Sequence, residues 1–185
     1  VTLGTGVGGG IISGGRLVTG ANGAAAEIGH IHIEDNETEP CGCGNSGCFE
    51  EYASATGAVR LAGRMMNSSG KPSVLRTVPE LTCEDIFSAA AAGDELAAEI
   101  TEEYGWYLGK GIASAATLLN PEIILIGGGV SKAGRILIDL LRPSFERFCF
   151  HASASARFEI AELGNDAGMF GAAWFAMNEF NKGKR

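Results

Sequence analysis

The chain has 185 residues, enough for one sizeable domain, and is 45% hydrophobic and 19% charged, as a soluble globular protein is. A formal net charge of −8 argues against nucleic acid or an anionic membrane as partner, because phosphate binding needs clustered Lys and Arg. No apolar run approaches the ~20 residues of a membrane span, and an odd count of five cysteines does not suit a secreted disulfide framework, so a reducing cytoplasm is expected.

The 28 glycines are not periodic; they gather at Gly4 to Gly15, Gly42 to Gly47 and Gly127 to Gly129, which predicts tight backbone turns there. Val1 to Leu3 and Gly10 to Ile12 read as strands flanking a glycine loop, with a turn at Ser13 to Arg16 before a strand at Leu17 and Val18. From Gly20 to Gly47 the chain is irregular and polar, with a short strand predicted at Ile31 to Ile33; so long a loop inside a compact domain calls for an explanation such as a bound metal. One helix is predicted from Glu50 to about Met66, and a second from a Thr82 cap to Ala92, ending at Gly93. A long helix follows from about Asp94 to Leu119. Its stripe is Ala97, Ile100, Tyr104, Tyr107, Leu108, Gly111, Ile112, Ala115 and Leu118, and Asn120-Pro121 stops it. Ile123 to Ile126 reads as a strand buried on both faces. Ser131 is expected to cap the next helix, which Pro143 divides. Arg157 to Leu163 reads as a strand and Ala167 to Phe180 as a closing helix with Phe170, Trp174 and Met177 on one side. The order predicts an α/β sheet.

Four motifs could carry chemistry. Leu3-Gly4-Thr5-Gly6-Val7-Gly8-Gly9-Gly10 could turn several N–H groups toward one anion. It is not a P-loop, since no Gly-Lys-Ser/Thr ends it, and a strand rather than a helix follows, which suits the phosphate clamps of actin-like kinases. Cys41-Gly42-Cys43 and Cys48, with His30 or His32 upstream, offer a closed tetrahedral Cys₃His zinc site with no position open for a catalytic water; residue type alone leaves the two histidines undecided. Glu27 and Glu50 flank that loop, and carboxylates, as strong acceptors, grip sugar hydroxyls; taken alone they read more simply as solvated surface acids. Gly127-Gly128-Gly129 lies at the carboxyl end of a strand, where open α/β sheets bind ligands, and before a predicted helix start that favours an anion. Cys83 and Cys149 read as core residues, and His151 has no evident role.

In this order, the glycine loop, Glu27-Ile28-Gly29-His30, the Cys-x-Cys-Gly-x-x-Gly-Cys-x-Glu run ending at Glu50, Ile126-Gly-Gly-Gly-Val130 and Gly164-Asn165-Asp166-Ala167-Gly168 resemble the ROK family of repressors, open reading frames and sugar kinases. The resemblance covers nearly the whole chain and is greatest to glucokinases of Gram-positive bacteria. It implies the carboxy-terminal lobe (residues 1–185) of an actin-like, ribonuclease H-like kinase, with a mixed sheet, flanking helices and a zinc-binding loop over about 27–50. It implies that His30, Cys41, Cys43 and Cys48 hold a structural Zn²⁺ and that Glu27, His30 and Glu50 bind the sugar. Thr5, Gly6 and Gly8 would serve the phosphates of ATP with its Mg²⁺, and Gly128 and Gly129 would lie near the nucleoside. Glucose is the expected hexose, with N-acetylmannosamine, fructose or allose as alternatives, and a homodimer is expected. A sugar-responsive repressor is the competing class, against which the intact glycine loop speaks. Two departures stand out. Ala26 occupies a position where the family usually has glycine. No Asp-x-Gly-Gly-Thr loop and no Asn-Asp pair matching the family's catalytic aspartate is present, so no catalytic residue is assigned and the 185 residues alone are expected not to phosphorylate sugar.

Overall fold

A computed structural model describes residues 1–182 as a mixed α/β structure. Strand β1 (Thr2–Leu3) turns back into β2 (Val7–Gly8), and a second hairpin pairs β3 (Ile12–Ser13) with β4 (Arg16–Leu17). Strands β5 (Ile123–Ile126) and β6 (Arg157–Ile160) are parallel. A parallel bridge from Thr2 to Gly127 carries β1 onto β5, so the strands run β2-β1-β5-β6, and the β3/β4 hairpin stands apart.

Helices fill one side. Helix α1 (Glu50–Ala53) is separated from α2 (Ala55–Ser68) at Ser54, α3 spans Cys83–Ala91, α4 Glu95–Leu119, α5 Arg135–Phe148 and α6 Ala167–Lys182. The predicted Thr82 cap is a full capping box with Asp85. Asp94 caps α4, and Asn120 ends it in the left-handed conformation (φ 44°). Glycine at 105 and 109 lets α4 and α5 meet backbone to backbone: a β-carbon on Gly109 would stand 2.2 Å from Leu141 O. Ile100, Tyr104, Leu108, Ile112, Leu137, Leu141 and Phe145 form the centre of the core. Among the described residues, no helix is long and apolar enough to cross a membrane.

Several expectations are corrected. The strand after the glycine loop resumes at Val7, inside the glycine run, because Gly4 to Gly6 alone complete the turn. Ile31 to Ile33 forms no strand, only a bridge from His32 to Cys48. The helix from Glu50 breaks at Ser54, whose extended backbone lets its hydroxyl accept from Gly57 N at 2.9 Å and start a second helix. Ser131 caps no long helix: its hydroxyl donates to Gly128 O within a 3₁₀ turn, and α5 starts after Gly134. Pro143 sits inside an unbroken α5 on its exposed side, where water can serve the carbonyl that lacks a donor. Leu118 is 83% exposed, since α4, about 37 Å long by its rise per residue, outruns the elements packed on it. Ile123 and Leu125 leave one face of β5 open, β6 stops at Ile160, and Phe170, Trp174 and Met177 of α6 are exposed. The expected burial of β5 on both faces supposed a layer on that side of the sheet that the described residues do not supply.

Candidate functional site

The two glycine motifs, distant in sequence, lie side by side. Leu3 N donates to Gly127 O and Gly127 N to Val1 O, each at 2.8 Å. Gly128 (φ 87°) packs so closely on β1 that a β-carbon there would stand 2.3 Å from Leu3 O, so only glycine fits. Thr5, Gly8 and Gly129 are exposed beside this junction, and Gly6 is half-buried.

The loop from Ala26 to Glu50 packs directly on the glycine turn. A β-carbon on Gly29 would meet Val7 O at 2.2 Å, and one on Gly9 would meet Ala26 O at 2.3 Å. Gly4 O accepts from Ala55 N at 2.8 Å, tying the turn to the start of α2. Ala26 has a left-handed backbone (φ 66°), a conformation that glycine adopts freely and that strains alanine.

His30, Cys41, Cys43 and Cys48 come together, with one ligand atom from each within 4.8 Å of all the others. Cys43 and Cys48 sulfurs are 3.6 Å apart, and Cys41 Sγ is 3.7 Å from His30 Nδ1. These separations match the edge of a tetrahedron with metal–sulfur bonds of about 2.3 Å, about 3.8 Å, so the four residues could hold a zinc ion. His32 stays outside: its ring nitrogens lie 2.9 Å from Ser46 O and 2.9 Å from Asp35 Oδ1. These two neighbours raise its pKa, first the Ser46 carbonyl and then Asp35. Burial pushes the Cys41 and Cys48 thiols up, whereas the Asn45 N–H draws that of exposed Cys43 down.

Glu50 sits between the cysteine cluster and the glycine turn. Its Oε1 accepts from Cys41 Sγ at 3.2 Å and is 3.5 Å from His30 Nδ1, while its Oε2 accepts from Val7 N at 3.4 Å. Glu27, exposed, precedes the 3₁₀ turn Ile28–His30 that delivers His30, and its side chain makes no cap hydrogen bond to that turn.

Sequence reasoning missed the clasp behind this loop. Buried Glu37 accepts from Tyr52 Oη, Arg60 and Arg64, and Arg60 also pairs with Glu39 at 3.0 Å and Glu51 at 2.6 Å. Burial, the largest influence, would raise the Glu37 carboxyl, but Tyr52, the Glu39 N–H, Arg64 and Arg60 outweigh it and hold it down at about 2. In sequence, Glu37-Thr38-Glu39 reads as one more polar loop stretch. A groove of about 320 Å³ beside this clasp, lined by Glu34, Tyr52, Arg64 and Tyr107 among others, includes none of the predicted site residues.

Comparison with known proteins fits this geometry. A glucokinase of Halalkalibacterium halodurans is 44% identical over 185 residues, which is 98% of this chain and 56% of that protein. An N-acetylglucosamine repressor of Escherichia coli O157:H7 is 39% identical over 153 residues, 83% of this chain and 36% of that one. The crystal structure of a ROK family glucokinase from Streptomyces griseus in complex with glucose and AMPPNP superposes with a TM-score of 0.82 at 38% identity, over 94% of this chain and 58% of that chain. The chain therefore spans little more than half the length of the glucokinases it matches. The ROK family model matches residues 1–179, and the chain belongs to the ROK family.

Proposed function

We propose that this chain is the carboxy-terminal lobe of an ATP-dependent glucokinase, in which the γ-phosphoryl group passes in line to the 6-hydroxyl of glucose. The observation that carries this reading is the position of Glu50, which touches both the cysteine–histidine cluster and the glycine turn. One carboxylate at that junction suits a site where sugar and nucleotide phosphates meet. Glu27, His30 and Glu50 accept and donate hydrogen bonds to sugar hydroxyls and so fix which hydroxyl faces the phosphate. The N–H groups of the glycine turn around Thr5, Gly6 and Gly8 face the phosphates of Mg²⁺-bound ATP, and Gly128 and Gly129 border the nucleoside. Zinc on His30, Cys41, Cys43 and Cys48 supplies shape rather than chemistry, holding His30 and the loop in place.

The base that takes the hydroxyl proton has no counterpart among these 185 residues, so the chain alone binds its ligands without turnover. Calorimetry with glucose and AMPPNP tests the reading. Both ligands should bind, and Cys43→Ser should lose zinc and glucose affinity together; loss of one without the other would break the link between metal and sugar. A sugar-responsive repressor is the second reading, favoured by the likeness to the E. coli repressor. Glucose binding without AMPPNP binding would select it. N-acetylmannosamine, fructose and allose, titrated in the same way, test the choice of hexose.

A further inference from the structure

Helix α4 grips both limbs of the cysteine loop from behind. Tyr107, Lys110 and Gly111 lie three and four residues apart, hence on one face of the helix. On the first limb, Lys110 Nζ donates to Ile33 O at 2.5 Å and Tyr107 Oη donates to Glu34 Oε2 at 3.2 Å. On the second limb, the Phe49 ring occupies the space over Gly111, where a β-carbon would stand 2.3 Å from two ring carbons. The limbs are stitched to each other by Ile33 N to Gly47 O and Phe49 N to Ile31 O, both 2.8 Å. His30 precedes the first limb and Glu50 follows Phe49 directly.

We infer that Lys110 and Gly111 are positioning residues: they set the depth and orientation of His30 and Glu50 through the loop's backbone, so the metal is not the only support of that site. This rests on the reading of His30 and Glu50 as sugar ligands. An ammonium on a backbone carbonyl suits the task, because the contact survives any change of loop side chain, and the partial burial of Lys110 strengthens it. Gly111 acts by absence: any side chain would displace the Phe49 ring, and Glu50 with it.

The test compares the zinc-loaded chain with Lys110→Met, Lys110→Arg and Gly111→Ala, using zinc content, amide hydrogen exchange, and glucose and AMPPNP affinity by calorimetry. Lys110→Met should keep its zinc, exchange faster over residues 31–34, and bind glucose about tenfold more weakly for the lost charged hydrogen bond, with AMPPNP affinity within about twofold, since the nucleotide contacts stay in place. Lys110→Arg, which keeps a donor, should stay near the unaltered chain, and Gly111→Ala should quicken exchange over residues 49–53 and also weaken glucose binding. If Gly111→Ala fails to fold, the Met–Arg comparison decides alone. Unchanged exchange and unchanged glucose affinity in Lys110→Met would overturn the inference. A chain that binds no glucose at all would overturn the sugar reading instead, and faster exchange in Lys110→Met would then still support the anchoring by α4.

Discussion

Glu50 Oε2 lies only 2.5 Å from the place where a β-carbon on Gly6 would be, and Val7 N, one residue on, donates to the same oxygen. The glycine turn and the acid thus share one wall, and each limits where the other can go. Because the obstructing atom ends a flexible side chain, Gly6→Ala should fold normally but turn the Glu50 carboxylate aside. We expect glucose affinity to fall about tenfold, a typical loss for a displaced charged hydrogen bond, while the thermal midpoint barely moves. Gly9→Ala is the contrast: its methyl would meet the Ala26 carbonyl, and that variant should lose stability instead. Calorimetry and thermal unfolding on the pair check both halves.

Ala26 holds a left-handed backbone immediately before Glu27. Ala26→Gly removes the clash of its β-carbon and should stabilise the chain by about 1 kcal/mol, less the extra freedom glycine gains when unfolded. Urea unfolding measures it; a destabilisation would mean that the strain is absent in solution.

Glu37 ties stability to pH. Its folded pKa of about 2 lies below the ordinary 4.5, so the folded state binds its proton less readily than the unfolded state. Its contribution is therefore fully present above about pH 4.5 and is lost as pH falls toward 2. Glu37→Ala leaves the Arg60 and Arg64 charges short of a partner and should cost about 3 kcal/mol at pH 7. It should also flatten the acid limb of stability against pH, measured by urea unfolding from pH 7 to 3. An unchanged acid limb would assign the acid loss to other carboxylates.

Much of this was legible in residue order because local rules decided it. Thr82 with Asp85, Asp94, Asn120-Pro121 and the stripe of α4, apart from Leu118, act within a few residues of themselves, and the structure follows them. The cysteine spacing likewise confines three thiols to one short glycine-rich loop, and the structure adds His30 to them. The choice of His30 over His32 came only with the family resemblance and not from residue type or spacing, since the chain passes from a 3₁₀ turn into extended backbone between them and no single period relates the two rings. Ser54 looked like a helix interior because its role depends on Gly57 and on Gly4 from the glycine turn. Gly111 read as one more small residue of a buried stripe, although what it makes room for, Phe49, lies about sixty residues away. Glu37, Arg60 and Tyr52 are charged or polar in sequence, and only the folded chain removes them from water together.

Elemental analysis of protein purified without added metal, beside Cys41→Ser, tests the cysteine–histidine site most directly. About one zinc per chain is expected, lost in the variant, since thiolate and imidazole ligands preassembled at these separations bind zinc tightly at neutral pH. Well-folded protein without zinc would contradict it, and the sugar site built on His30 and Glu50 would lose its main support.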